Sequence, residues 1–406
     1  MKNVKKIKYI LLPIVISVIF TIGFNKFLDV ANNSLLKSKD LYPMLHNPVS
    51  LIKDKGVYAN NKLVNEEDYI LMMGSSEFSH STLQHPDYYF DTNRTTHGAI
   101  TVGRAYTQSL QHSTVLGSLD NLNKDKKVVL ILSMQWFMEK NGVTKHHFET
   151  RFSPVQFYKY LENPRISKKN KIEYTNRVKD LLCKSKDFKA EHIYASIYND
   201  NSPKAKAIKT LFSPYFSLRE YMVGLKDKGI LFEHLLLLPD KKDDKNIKKI
   251  DWEKEKQNAI REAVQRVGKD KKTLGNSDLS IDKGYYNAYI KPNKKKLKNF
   301  YAYVDFHQSQ EYNDLKLFMD TCKDLGVKPT IVLVPAMDGY YTYTGIDKNE
   351  RQVFFDKTKS ILKDYNYTLV DTSDKGETKY YLRDVMHLGT LGWVDVSKKI
   401  YDIYER

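Results

Sequence analysis

Two short motifs carry residue types that could do covalent chemistry. Gly74-Ser75-Ser76-Glu77 follows the apolar run "DYILMM", and Asp384-x-x-His387 stands near the far end of the chain in "YYLRDVMHLGTLGW". A serine hydroxyl is a poor nucleophile until a base takes its proton. An imidazole serves best as that base when a carboxylate holds its other nitrogen and fixes the tautomer. Among the eleven histidines only His80, three residues after Glu77, shares the acid-x-x-His offset. It lies just past the serine turn and is the weaker candidate base. Alone, each motif is weak: D-x-x-H arises often by chance, and a small-residue turn after a strand is an ordinary bend. Local composition also leaves Ser75 and Ser76 undistinguished.

The elements around the motifs give them a common location. Continuous apolar or β-branched runs predict strands at 69–73, 100–102, 126–133, 330–335 and 367–371. Helical spacing follows in "AYTQSLQHSTVLGSL", with Tyr106, Ser109, Leu110 and Val115 able to face inward. Further helices are expected in "YNDLKLFMDTCKDLG", with Gly326 as C-cap, in "NERQVFFDKTKSILKDY", and from Leu391 to Tyr404. The pattern is α/β with a parallel sheet. In such a sheet the turn after the first strand and the loop after the last lie at the carboxyl ends of strands, where ligands bind. Topology therefore brings Ser75 and Ser76 to the same edge as Asp384 and His387.

Between about Phe148 and Asp305 the sheet pattern is interrupted by a lysine-rich, mainly helical insertion. Runs such as "KKDDKNIKK" and "KPNKKKLK" read as solvated faces or loops. Glu77 is placed to orient the serine turn or cap the helix after it, where a negative charge is favourable.

At the N-terminus, Lys2, Lys5, Lys6 and Lys8 precede an uncharged run from Tyr9 to Phe24. Residues 1–8 read as a cytosolic basic segment and 9–28 as a transmembrane anchor, with Lys26 snorkelling to the interface. By the positive-inside rule the rest of the chain lies outside the cell membrane. Residues 29–66, mixed and polar, read as a stalk, and 67–406 as the extracytoplasmic domain. A cleaved signal peptide competes, but its best small-x-small site, around Val30-Ala31, is poor.

A formal charge of +17 favours an anionic partner, either an acidic membrane surface or an acidic polymer. No nucleic-acid signature accompanies the charge. Cys183 and Cys322 cannot make a zinc site alone; they form one disulfide or remain two buried thiols.

Six segments taken together resemble one known superfamily: "GSSEF" (74–78), "VGRAYTQSL" (102–110), "LSMQWF" (132–137), "VPAMDGYY" (334–341), "DVMHLGTLGW" (384–393) and the N-terminal anchor. The chain resembles the SGNH (GDSL-type) hydrolases and, within them, the DltD family of D-alanyl-lipoteichoic acid biosynthesis. The resemblance implies a three-layer SGNH-like fold. It implies Ser76 as nucleophile, with Ser75 in place of the Asp of G-D-S, His387 as general base and Asp384 as its partner. The Ser76 amide, in the turn with Gly74 and Ser75, would supply one oxyanion donor and the turn at Gly103 to Ala105 a second. Related proteins often carry a further glycine in the second turn, where this chain has Arg104-Ala105-Tyr106. The superfamily's usual oxyanion Asn has no obvious counterpart; Gln135 is either a substitute donor or a structural turn residue. Trp136 reads as a packing residue.

The activity implied is an extracytoplasmic serine acyltransferase that moves D-alanyl groups onto lipoteichoic acid, with no cofactor and no metal. The partners implied are lipoteichoic acid, the membrane, an MBOAT-type D-alanyl transferase of the same pathway (DltB-like) and the D-alanyl carrier protein, with no nucleic acid. An esterase or thioesterase using the same residues, or a non-catalytic adaptor of the D-alanylation complex, are the alternatives.

Overall fold

A computed structural model describes residues 2–79, 82–91, 94–242, 249–267 and 279–405. His80 and most of "KKDDKNIKK" lie outside the described residues. Five parallel strands form one sheet: β1 (Ile70–Met73), β2 (Ala99–Val102), β3 (Val128–Leu132), β4 (Thr330–Leu333) and β5 (Thr368–Asp371). Their order across the sheet is β2-β1-β3-β4-β5. The register is set by pairs such as Leu71 with Ile100 and Val128, and Leu130 with Ile331. Every residue of β1 to β4 is buried, so both faces of the sheet are covered. β2 and β5 are the edge strands, and β5 buries only Val370.

Helices form over the segments where periodicity predicts them, at 109–117, 311–325, 348–365 and 390–404, and within the insertion. They include α2 (Ser109–Gly117), α3 (Pro154–Glu162), α4 (Lys168–Leu182), α5 (Lys189–Tyr198), α6 (Pro203–Leu236), α7 (Trp252–Val267), α8 (Glu311–Leu325), α9 (Lys348–Tyr365) and α10 (Thr390–Tyr404). α8 ends at Gly326, whose φ of 67° places it in the left-handed region that closes a helix. The described part of 148–305 is helical and contains no strand. It is tied back to the sheet domain by α7, which packs on α10.

At the N-terminus one 37-residue helix, α1 (Lys2–Ser38), is apolar and long enough from Leu12 onward to cross a membrane. It fits a single-pass anchor. Residues 42–66, expected as a stalk, are instead folded onto the domain. Their short helices bury Met44, Leu45, Ile52, Leu63 and Val64 in the main core. Lys53 is buried there as well, its Nζ donating to Leu45 O at 2.6 Å and Thr101 Oγ1 at 3.0 Å. Composition reads as polar because these apolar residues are spread over several short turns rather than gathered in one run.

Tyr106 also departs from expectation. Thr107 Oγ1 accepts the Arg104 N–H and holds 103–107 as a turn, so α2 begins only at Ser109, capped by Gln108 and Gln111. Tyr106 takes φ 71°, points outward and stacks on His147, ring centroids 3.5 Å apart. Both cysteines are free thiols; Cys322 is buried as expected, whereas Cys183 is exposed.

The ends of β1 and β2 approach each other closely. Gly103 sits at φ 140°, and a Cβ there would lie 1.9 Å from the Gly74 carbonyl oxygen. Only glycine fits. Gly103→Ala is expected to cost at least about 2 kcal/mol through strain and displaced backbone. Gly284→Ala, where a Cβ meets open space, should change stability by less than about 0.5 kcal/mol. Unfolding midpoints of the two purified variants check this.

Candidate active site

β1 ends at Met73, and the Gly74 N–H continues its pairing by donating to Val102 O at 3.0 Å. The chain then tightens into a 3-10 turn over Ser76–Ser79. Two bonds in this turn separate the serines. The Ser75 N–H donates to the buried carboxylate of Glu77 at 2.7 Å, and the Ser75 hydroxyl donates to Arg104 O at 3.2 Å. Ser75 is buried and occupied. Ser76 is half-exposed, and its hydroxyl stands 2.8 Å from His387 Nε2.

His387 comes from the loop between β5 and α10. That loop is closed by a bridge between Leu382 and Leu388, with the Arg383 N–H donating to His387 O at 2.9 Å. Within it Asp384 makes two kinds of contact. Its Oδ1 accepts the backbone N–H groups of Met386 and His387, both at 2.9 Å, which fixes the turn. Its Oδ2 lies 2.8 Å from His387 Nδ1, which fixes the ring. Ser76, His387 and Asp384 thus form one continuous hydrogen-bonded line, of which His387 and Asp384 are buried.

The electrostatics are those of a buried ion pair. Burial penalises the carboxylate of Asp384, yet its bonds to His387 and to the two amides outweigh this and hold it below the usual range. Burial likewise disfavours the imidazolium of His387. The bond to Asp384 and the negative charges of Asp384 and Glu77 prevail and raise it above its ordinary 6.5. Glu77 itself is pushed up by its full burial, against the opposing charge of His387. It therefore orients the serine turn, as its position suggested, and also adds to the field at the imidazole. His112 is a different case: complete burial drives it down to about 3, so it is neutral and uncharged near neutral pH. It stacks on Trp136, a buried packing residue.

The expected oxyanion turn is partly committed elsewhere. The Gly103 N–H donates to Asp54 Oδ1 at 3.0 Å, and the Arg104 N–H to Thr107 Oγ1 at 3.2 Å. Among the described residues the Ala105 N–H makes no such bond, while its carbonyl accepts from Arg151 Nε at 2.8 Å. Gln135, in the 3-10 turn Met134–Phe137 after β3, donates from Nε2 to Ser133 Oγ at 3.2 Å. That bond is the structural turn role, and one amide hydrogen is spent on it.

Asp54 is the residue that sequence reasoning missed. It is buried, pairs with Arg104 Nε at 2.5 Å and holds Gly103, so it pins the second turn beside the serine. No local pattern marks it; Lys53-Asp54-Lys55 looks like a solvated charge run.

The chain is similar over most of its length to known proteins. A family model described as "DltD protein" matches residues 48–405. A protein named DltD from Bacillus subtilis (strain 168) is 27% identical over 355 residues, covering 86% of each chain. The DltD of Staphylococcus aureus (strain NCTC 8325 / PS 47) is 27% identical over 359 residues, covering 85% of this chain and 83% of its own. That of Lacticaseibacillus rhamnosus is 25% identical over 337 residues, covering 82% and 77%. With a family model spanning nearly all of the chain beyond its apolar N-terminal helix, the chain belongs to the DltD family.

Proposed function

We propose that this protein is a membrane-anchored serine acyltransferase that places D-alanyl groups on lipoteichoic acid, within the DltD family's part in teichoic acid D-alanylation. The reading rests above all on the line from Asp384 through His387 to the half-exposed Ser76, with 2.8 Å at both links. Its place at the carboxyl end of β1 adds support. In a sheet ordered β2-β1-β3-β4-β5 the strands on either side of β1 are reached by opposite windings, and this switch point is where ligands bind.

In this mechanism His387 Nε2 takes the Ser76 proton as Oγ attacks the acyl carbonyl. The C–O bond to serine forms and the negative charge moves to the carbonyl oxygen. Backbone N–H groups of Ser76 and Ala105 are the donors for that oxyanion, each worth about 3 kcal/mol. Asp384 stabilises the imidazolium, which then gives its proton to the leaving group as the donor bond breaks. A hydroxyl of the acceptor next loses its proton to His387 and attacks the acyl-serine; as the acyl–Oγ bond breaks, His387 returns that proton to Ser76 Oγ. The acceptor is a poly(glycerol phosphate) chain, and a protein of formal charge +17 attracts such a polyanion. With the N-terminus cytosolic and the sheet domain outside, a cytosolic acyl donor has no direct route to Ser76. An MBOAT-type membrane acyltransferase of the pathway therefore delivers the D-alanyl group, drawing on the D-alanyl carrier protein.

In cells, Ser76→Ala at unchanged protein level should lower D-alanyl esters of lipoteichoic acid to the level of a deletion strain. Esters at wild-type level would leave only a non-catalytic adaptor. Ser75→Ala, which loses a bond worth about 1 kcal/mol, should retain most of the esters.

The rate of acylation by an activated ester should rise with pH. His387 must be neutral to accept a proton, and its pKa is raised, so the inflection is expected above 6.5. Asp384→Asn removes the charge that opposes burial. The inflection should then fall, and the rate should drop on the order of 10³-fold or more.

A further inference from the structure

α6 carries an apolar stripe that no part of the described structure covers. Leu211, Tyr215, Leu218 and Met222 recur at helical spacing with Phe212 beside them, and Leu211 and Leu218 are 75% and 60% exposed. On a soluble helix a stripe of that period is normally the buried one. Here the buried side is a different one: Ala205 and Phe216 pack against Ile197 and Tyr194 of α5. The exposed stripe is a second apolar face on the same helix.

Its position relative to α1 indicates what covers it. The two helices run side by side in the same direction. Asn32 Nδ2 donates to Lys228 O, Lys228 Nζ donates to Asn25 Oδ1 and pairs with Asp29, and the Tyr221 hydroxyl donates to Thr21 O. Toward the N-terminus the pairing ends at Thr21. From Leu12 to Phe20 every α1 residue is exposed, and these residues open the stretch from Leu12 to Ser38 that is long and apolar enough to cross a membrane. Beyond Tyr221 in the same direction, the exposed stripe of α6 begins with Met222 and Leu218 and continues to Leu211. The two helices part where α1 becomes apolar all round and α6 becomes apolar on one face only.

An all-round apolar helix suits the bilayer interior, and a one-sided helix suits its surface. Asp200, Asn201 and Ser202 precede α6 and keep its start out of the hydrocarbon. Lys204 and Lys206 are exposed on its first turn, within reach of anionic headgroups.

We propose that the Leu211–Met222 face of α6 inserts into the outer interface of the lipid bilayer beside α1. A single spanning helix leaves the attached domain free to swing and rotate. A second contact made by α6, which is bonded to α1 at Thr21, Asn25, Asp29 and Asn32, holds the domain in one orientation over the membrane. This contact does not depend on the reaction at Ser76.

The test uses the full-length protein in vesicles of phosphatidylglycerol and phosphatidylethanolamine. In a Cys183→Ser background, which leaves only the buried Cys322, Phe212→Cys, Leu218→Cys and, as a control on α9, Lys363→Cys are labelled with an environment-sensitive fluorophore. The expected result is quenching of the 212 and 218 labels by about twofold or more with brominated acyl chains, and no quenching at 363. Equal access of aqueous iodide to 218 and 363 would overturn the proposal, as would equal lipid quenching at all three. Protection of 212 and 218 in native membranes but not in pure lipid vesicles would overturn it too, in favour of a membrane-protein partner.

Discussion

The 2.8 Å hydrogen bond between Ser76 and His387 joins residues 311 positions apart, and the remainder of the fold can be understood as what holds it. Ser76 is placed by the end of β1, a strand buried on both faces and paired on both edges. His387 is placed by a closed loop that α10 follows directly. A fully buried aliphatic core residue contributes about 1.5–3 kcal/mol. The rows of such residues in β1, β3 and β4 are therefore what makes a polar contact at their carboxyl edge affordable.

Three ionisable groups meet at that edge, and their environments push them apart. Asp384 is held charged by two backbone amides and the imidazole, while Glu77 is raised by burial. A low local dielectric strengthens each of these interactions and penalises any group left unpaired. A positive charge on the His387 imidazole is thus met by a carboxylate already oriented toward it. Glu77 links this field to the geometry of the serine turn, because its carboxylate also fixes the Ser75 amide. The turn and the base are consequently not independent parts.

Much of this was legible in the sequence because the signals were continuous. Each of the five strands stands out as an unbroken apolar or β-branched run, and Gly326 marks the end of α8 where a left-handed residue is needed. Asp384 and His387 were legible because three residues of spacing suffice to bring a carboxylate to an imidazole within one loop. Residues 42–66 were not, since their core positions are scattered over short helices and only tertiary packing makes them apolar as a group. Tyr106 was misread because the Arg104 N–H bond to Thr107 Oγ1 delays the helix by a few residues and leaves Tyr106 in the turn before it, while Ser109, Leu110 and Val115 face inward as expected. The assignment of Asp54 to the Gly103 amide is a contact between segments 49 residues apart, and no local pattern encodes it. The choice of Ser76 over Ser75 came from family resemblance; the hydrogen bonds of the turn supply a physical reason for it.

The most direct test of the account is to react the purified full-length protein with a fluorophosphonate, digest it and locate the adduct by mass spectrometry. The adduct is predicted on Ser76, and it should be absent from Ser76→Ala and strongly reduced in His387→Ala. An adduct on Ser75, or labelling that persists in Ser76→Ala at the wild-type rate, would contradict it.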